Sequence, residues 1–128
     1  MKMEHIALNV PDPVQMARWY CNHLGLNIVK KSEDAPWMTF LADDSGQIMI
    51  EIYCNPSDQV PDYASMDPLV LHLAWISDHP DQDRSRLEKA GATTVSSEHL
   101  PDGSHLVMMR DPWGVALQLC KRATPMLR

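Results

Sequence analysis

Residues 3 to 10, MEHIALNV, alternate apolar and polar positions. Ile6, Leu8 and Val10 point one way, and Met3, His5, Ala7 and Asn9 the other, which predicts a strand with one oily face and one mixed face. A helix is predicted next. Asp12 is a suitable N-cap, Pro13 a suitable first helical residue and Gly25 a suitable stop, with Val14, Ala17, Cys21 and Leu24 as the buried stripe. Strand-like runs follow at Leu26–Lys30, Trp37–Ala42 and Gln47–Tyr53, the last two separated by the turn Asp43-Asp44-Ser45-Gly46. Residues 54 to 68 hold three prolines and no periodicity, which predicts a linker.

The pattern then begins again. LVLHLAWIS, residues 69 to 77, predicts a strand, and SDHPDQDRSRLEKAGA a helix. Asp81 and Asp83 in its first turn and Arg86 and Lys89 in its last suit the helix dipole, and Gly91 is its stop. Further strands are expected at Thr93–Ser96, His105–Arg110 and Val115–Cys120, with the turn Pro101-Asp102-Gly103 before the second of these. The chain is therefore expected to be α+β and to contain two copies of a βαβββ module. Module one spans 3–53, a linker 54–68, and module two 69–122, all in one domain.

Four polar residues interrupt the apolar strands at matching places. His5 and Glu51 stand in the first and last strands of module one, and His72 and Gln118 in those of module two. The offsets agree: 72 − 5 = 67 and 118 − 51 = 67. A lone strand histidine is commonly a hydrogen-bonded core residue. A glutamate within Ile-Met-Ile-Glu-Ile-Tyr needs a cation, a metal or several donors. Together, two imidazoles, a carboxylate and an amide oxygen can ligate a divalent ion such as zinc, nickel, manganese or iron.

Composition narrows the function classes. A formal net charge of −6 without a basic patch argues against nucleic acid as a partner. No apolar run approaches the roughly 20 residues of a membrane span, and the N-terminal stretch lacks the apolar core of a signal peptide. Cys21, Cys54 and Cys120 are an odd number at wide spacing, expected as free thiols in a reducing cytoplasm and without a catalytic role. His23, His79, His99 and His105 are expected to be solvated, and the nine methionines to fill core volume.

Three stretches carry a resemblance. HIALNVPDPVQMARWYCNHLGLNIV, LHLAWIS, and the turn Asp111-Pro112-Trp113-Gly114 leading into ALQLCK resemble the vicinal oxygen chelate superfamily. That group includes glyoxalase I, bleomycin- and fosfomycin-resistance proteins, extradiol dioxygenases and methylmalonyl-CoA epimerase. The resemblance covers nearly the whole chain. It implies paired βαβββ modules forming a cupped, eight-stranded half-barrel sheet with helices outside, and commonly a homodimer. It also implies a metal in the cup, with His5, Glu51, His72 and Gln118 at the ligand positions.

The implied activity is divalent-metal-dependent isomerase or lyase chemistry on a small substrate with vicinal oxygens, through a metal-bound enediolate. Glu51 would move the proton, and Asn9 and Tyr53, which share strand parity with the ligands, would line the substrate site. Two departures narrow this. The last ligand is commonly glutamate, and an amide cannot serve as general base near neutral pH. Asn9 stands where glutathione-dependent glyoxalases tend to carry an arginine, so a typical lactoylglutathione lyase is not expected. The alternatives are a non-catalytic small-molecule-binding protein of the bleomycin-resistance type and a metal-dependent dioxygenase.

Overall fold

The computed structural model describes residues 1–127. Two compact units divide the chain, Met1–Pro61 and Asp62–Arg128. The first contains β1 (His5–Asn9), α1 (Pro13–Leu24), β2 (Asn27–Lys31), β3 (Thr39–Ala42) and β4 (Met49–Tyr53). The second contains a short 3₁₀ turn (Tyr63–Ser65), β5 (Leu73–Ile76), α2 (Pro80–Lys89), β6 (Thr93–His99), β7 (His105–Arg110) and β8 (Ala116–Lys121). The α+β arrangement of two βαβββ modules is as expected, with the eight strands divided into two four-stranded sheets. Among the described residues no helix is long and apolar enough to cross a membrane.

The strand orders are β1-β4-β3-β2 and β5-β8-β7-β6. First and last strands pair in parallel in both units, and the other pairs are antiparallel. The repeat extends to single residues: Ala7 stands opposite Glu51, and Ala74 opposite Gln118. Both outer hairpins also carry a bulge, between Ile28 and Lys30 and between Thr94 and Ser96. β2 and β6 are sheet edges exposed along their whole length, and Lys30, Lys31 and Glu98 discourage pairing with another strand there.

Alternation separates the faces. In unit one, Leu8, Leu41, Ile50 and Ile52 are buried on the face covered by α1. The helix starts as the sequence suggests, with the Asp12 side chain accepting from the Gln15 amide at 3.0 Å and Pro13 at its first position. It ends at Gly25, whose φ of 72° is the left-handed conformation that glycine adopts without penalty. The buried stripe is rotated from expectation. Met16, Ala17, Trp19 and Tyr20 are buried, whereas Val14 is exposed and Cys21 and Leu24 only half-buried. Turning the larger Met16 and Tyr20 inward removes more apolar surface from water than Val14 and Cys21 would. Val14, Ala17 and Cys21 line instead a cleft of about 300 Å³ beside Ile28 and Trp37.

In unit two, Leu73, Val107, Met109, Leu117 and Leu119 form the buried face, with Leu87 of α2 fully buried. α2 is otherwise charged, and its start is tied by Ser77, which donates to Asp83 at 2.6 Å. Burial raises the Asp83 pKa, but bonds from Ser77 and Arg86 outweigh it and hold the carboxyl below its usual range.

The strand expected at residues 69–77 begins only at Leu73. Asp67 accepts from the Leu69 amide through its side chain and from the Val70 amide through its carbonyl, making a turn of an apolar run. The segment expected as a linker is also ordered. The Arg110 guanidinium donates to the carbonyls of Tyr63, Met66 and Gly114 at 2.9, 2.7 and 3.1 Å.

The Asp111-Pro112-Trp113-Gly114 turn has its own physical reason. Buried Asp111 accepts from the amides of Trp113 and Val115 through one carboxylate oxygen, both at 2.9 Å. Gly114 has φ of 90°, and a Cβ there would stand 2.6 Å from the Ala64 nitrogen. Gly114→Ala is therefore expected to lower stability by about 2–4 kcal/mol in urea unfolding of the full chain. A loss under about 0.5 kcal/mol, the size of a neutral surface change, would contradict this reading of the turn.

Candidate functional site

β1 and β4 place the first two expected residues together. His5 and Glu51 lie on the face opposite α1, offset diagonally across the parallel pair. His5 Nε2 is 3.2 Å from Glu51 Oε2, and both side chains are largely covered. Phe40, directly opposite Glu51 on β3, sets its ring against His5 edge to face, with centroids 5.3 Å apart. The other imidazole nitrogen, Nδ1, is buried and makes no hydrogen bond; Glu4 Oε2 lies 3.3 Å from it without hydrogen-bond geometry.

Asn9 and Tyr53 stand opposite each other on the same face. The Asn9 side chain accepts from the Asn55 amide at 2.8 Å and donates to the Asn55 and Gln59 carbonyls. Its amide thereby holds the loop that leaves β4. Tyr53 is half-buried. Beside His5, an open cavity of about 700 Å³ is lined by Met3, Ile48 and Met49 with Lys2, Glu4 and Gln47.

In unit two, His72 precedes β5 and is half-buried. Its Nδ1 is 2.8 Å from the Pro68 carbonyl oxygen. A carbonyl only accepts, so Nδ1 carries the proton and Nε2 keeps its lone pair. Gln118 stands in the middle of β8, and its Oε1 accepts from the Cys120 thiol at 3.2 Å. The cysteines are free as expected, and burial pushes the thiols of Cys21 and Cys120 up. A thiol held protonated is a poor nucleophile and a hydrogen-bond donor, which is how Cys120 serves Gln118.

In unit one the two donors are spaced as ligands of one divalent ion would be. Nitrogen and oxygen ligands at about 2.0–2.2 Å from one ion stand roughly 3.0–3.4 Å from each other at bond angles near 90–110°. The His5 Nε2 to Glu51 Oε2 separation of 3.2 Å falls in that range. His72 supplies an imidazole already in the ligand tautomer. Each unit thus supplies two donors, and among the described residues no three His, Cys, Asp or Glu side chains are grouped so as to hold a metal ion.

Sequence reasoning missed Glu4 and Cys120. The strand expected over residues 3 to 10 begins only at His5, so Glu4 lies outside the alternation that would have turned it toward the oily face. Three histidines expected to be solvated are engaged as well. His105 is buried, stacked on His99 with centroids 3.9 Å apart, and its Nε2 is 2.9 Å from Ser97 Oγ. The reason is register: His99 and His105 are direct cross-strand partners. His23 is half-buried, its ring centroid 5.2 Å from that of Trp19.

Comparison with known proteins agrees with this architecture. The sequence model of the Glyoxalase/Bleomycin resistance protein/Dioxygenase superfamily matches residues 2–119. No curated protein matches significantly. Among solved structures, a glyoxalase family protein from Enterococcus faecalis is similar with a TM-score of 0.71 and 23% identity, over 94% of this chain and 97% of that one. TnmS3, an antibiotic binding protein from Streptomyces sp. CB03234, gives a TM-score of 0.70 and 17% identity over 93% of both chains. A superfamily member from Sphaerobacter thermophilus gives 0.73 and 17%, over 95% of this chain and 98% of that one. At these identities the likeness is one of fold.

The Pro68 contact predicts the tautomer of His72. Nitrogen-15 correlation spectra of the neutral imidazole should show the proton on Nδ1. A proton on Nε2 would contradict the ligand-ready arrangement.

Proposed function

The chain belongs to the Glyoxalase/Bleomycin resistance protein/Dioxygenase superfamily, and from that premise we propose that it is a divalent-metal-dependent enzyme performing isomerase or lyase chemistry on a small molecule with vicinal oxygens. The observation that carries the reading is the side-by-side placement of His5 Nε2 and Glu51 Oε2 at 3.2 Å on the face that α1 leaves uncovered. A lone pair facing a carboxylate at that distance calls for a cation between them or a proton on the nitrogen.

His5 and Glu51 would hold the ion, and His72 and Gln118 are the matching pair of the second unit. Zinc, nickel, manganese and iron all suit these donors. When bound, such an ion supplies Lewis acidity toward a pair of adjacent substrate oxygens. The chain's own residues divide the remaining work. Glu51 is the one carboxylate of the set, so moving a proton on and off the substrate carbon falls to its carboxylate oxygens. Gln118 offers an oxygen but no titrating group, and the Cys120 thiol orients it. Met3, Ile48 and Met49 give the adjoining cavity apolar walls, and Lys2 and Gln47 give it polar contacts. Its volume of about 700 Å³ suits a small ligand.

The Gln118 contact favours a second reading. Its Oε1 is already engaged by Cys120, as suits a ligand-binding protein that needs no metal, and TnmS3 is an antibiotic binding protein of similar fold.

Metal analysis separates the two. Untreated purified protein is expected to carry a divalent ion, and Glu51→Ala to weaken its binding by at least about tenfold. Protein that holds no metal and ignores added zinc, nickel, manganese and iron would overturn the enzyme reading in favour of the binding protein.

A further inference from the structure

We propose that Glu4 is a positioning residue for His5, selecting which imidazole nitrogen carries the proton. This rests on the reading of His5 as a metal ligand and deepens it. His5 stands between two carboxylates: Glu51 Oε2 is 3.2 Å from Nε2, and Glu4 Oε2 is 3.3 Å from Nδ1. A neutral imidazole has one N–H to give and cannot satisfy both. With the proton on Nε2, His5 donates to Glu51 and has no lone pair there for an ion. With the proton on Nδ1, it donates to Glu4 and turns the Nε2 lone pair toward the position beside Glu51.

Three observations favour Glu4 as the acceptor. Nδ1 is buried without a hydrogen bond, a costly condition for a polar atom. The Phe40 ring, edge to face against His5, restrains the imidazole from turning away. The Glu4 side chain is 70% exposed and precedes β1, so it can rotate the short way needed to align its oxygen. Unit two meets the same need differently. There the Pro68 carbonyl fixes the His72 tautomer at 2.8 Å through the backbone. In unit one the acceptor is an exposed surface carboxylate. A carboxylate behind a metal-ligating histidine fixes its tautomer and raises its basicity, commonly changing metal affinity 10–100-fold.

The test compares wild type, Glu4→Ala and Glu4→Gln. Nitrogen-15 spectra of the metal-free proteins are read well above the usual imidazole range, at about pH 8.5, and zinc affinity is measured by titration calorimetry. His5 should populate the Nδ1–H form in wild type and Glu4→Gln, which keeps an acceptor oxygen. In Glu4→Ala it should shift to Nε2–H, with zinc binding 10–100-fold weaker. The His72 signal, held by Pro68, should stay unchanged in all three and reports an intact fold. Identical His5 tautomers in wild type and Glu4→Ala overturn the proposal whatever zinc does. Absence of zinc binding in wild type would instead sink the metal reading, while the tautomer comparison still decides the role of Glu4.

Discussion

The parallel pairing of first and last strand within each unit is the constraint on which the arrangement depends. It places Ala7 opposite Glu51 and Ala74 opposite Gln118. The small alanine leaves room for the longer side chain beside it, and the diagonal neighbour of Glu51 is His5. Strand alternation does the rest. The same pairing turns Leu8, Ile50 and Ile52 toward α1. A slip of one residue in β4 would drive Glu51 under the helix and bring Ile50 and Ile52 out. An unpaired carboxylate in that apolar layer costs several kcal/mol, roughly, so the fold and the polar face are specified by one register.

Much of this was legible in the sequence because it follows from alternation and punctuation. The 67-residue offset that pairs His5 with His72 and Glu51 with Gln118 is the offset of the strand registers themselves. Asp12, Pro13 and Gly25 bound α1 as their chemistry dictates. What was not legible depends on contacts distant in sequence. Spacing alone allowed either Val14 and Cys21 or Met16 and Tyr20 to face inward, and only the volume to be filled against Leu41 and Ile52 decides. The apolar run 69–71 resembled a strand until Asp67 capped it as a turn. His105 had no sequence signal for burial, which comes from its cross-strand partner His99.

The two units use one plan with different supports. His72 is fixed by backbone, His5 is flanked by carboxylates, Glu51 stands beside an imidazole and a phenyl ring, and Gln118 accepts a hydrogen bond from a thiol. The functional asymmetry follows from the side chains, since one unit offers a titrating carboxylate and the other only an amide. The turn Asp111–Gly114 is part of the same logic. Gly114 lets the Ala64 backbone approach, Asp111 ties the turn, and the strand that presents Gln118 starts two residues later, at Ala116.

The central claim is that His5 and Glu51 are joint ligands of a divalent ion. Diffraction from crystals grown with zinc, collected on both sides of the zinc absorption edge, tests it directly. The account predicts an anomalous peak about 2.0–2.2 Å from both His5 Nε2 and a Glu51 carboxylate oxygen. A peak elsewhere, or none with the His5–Glu51 contact still in place, would contradict it.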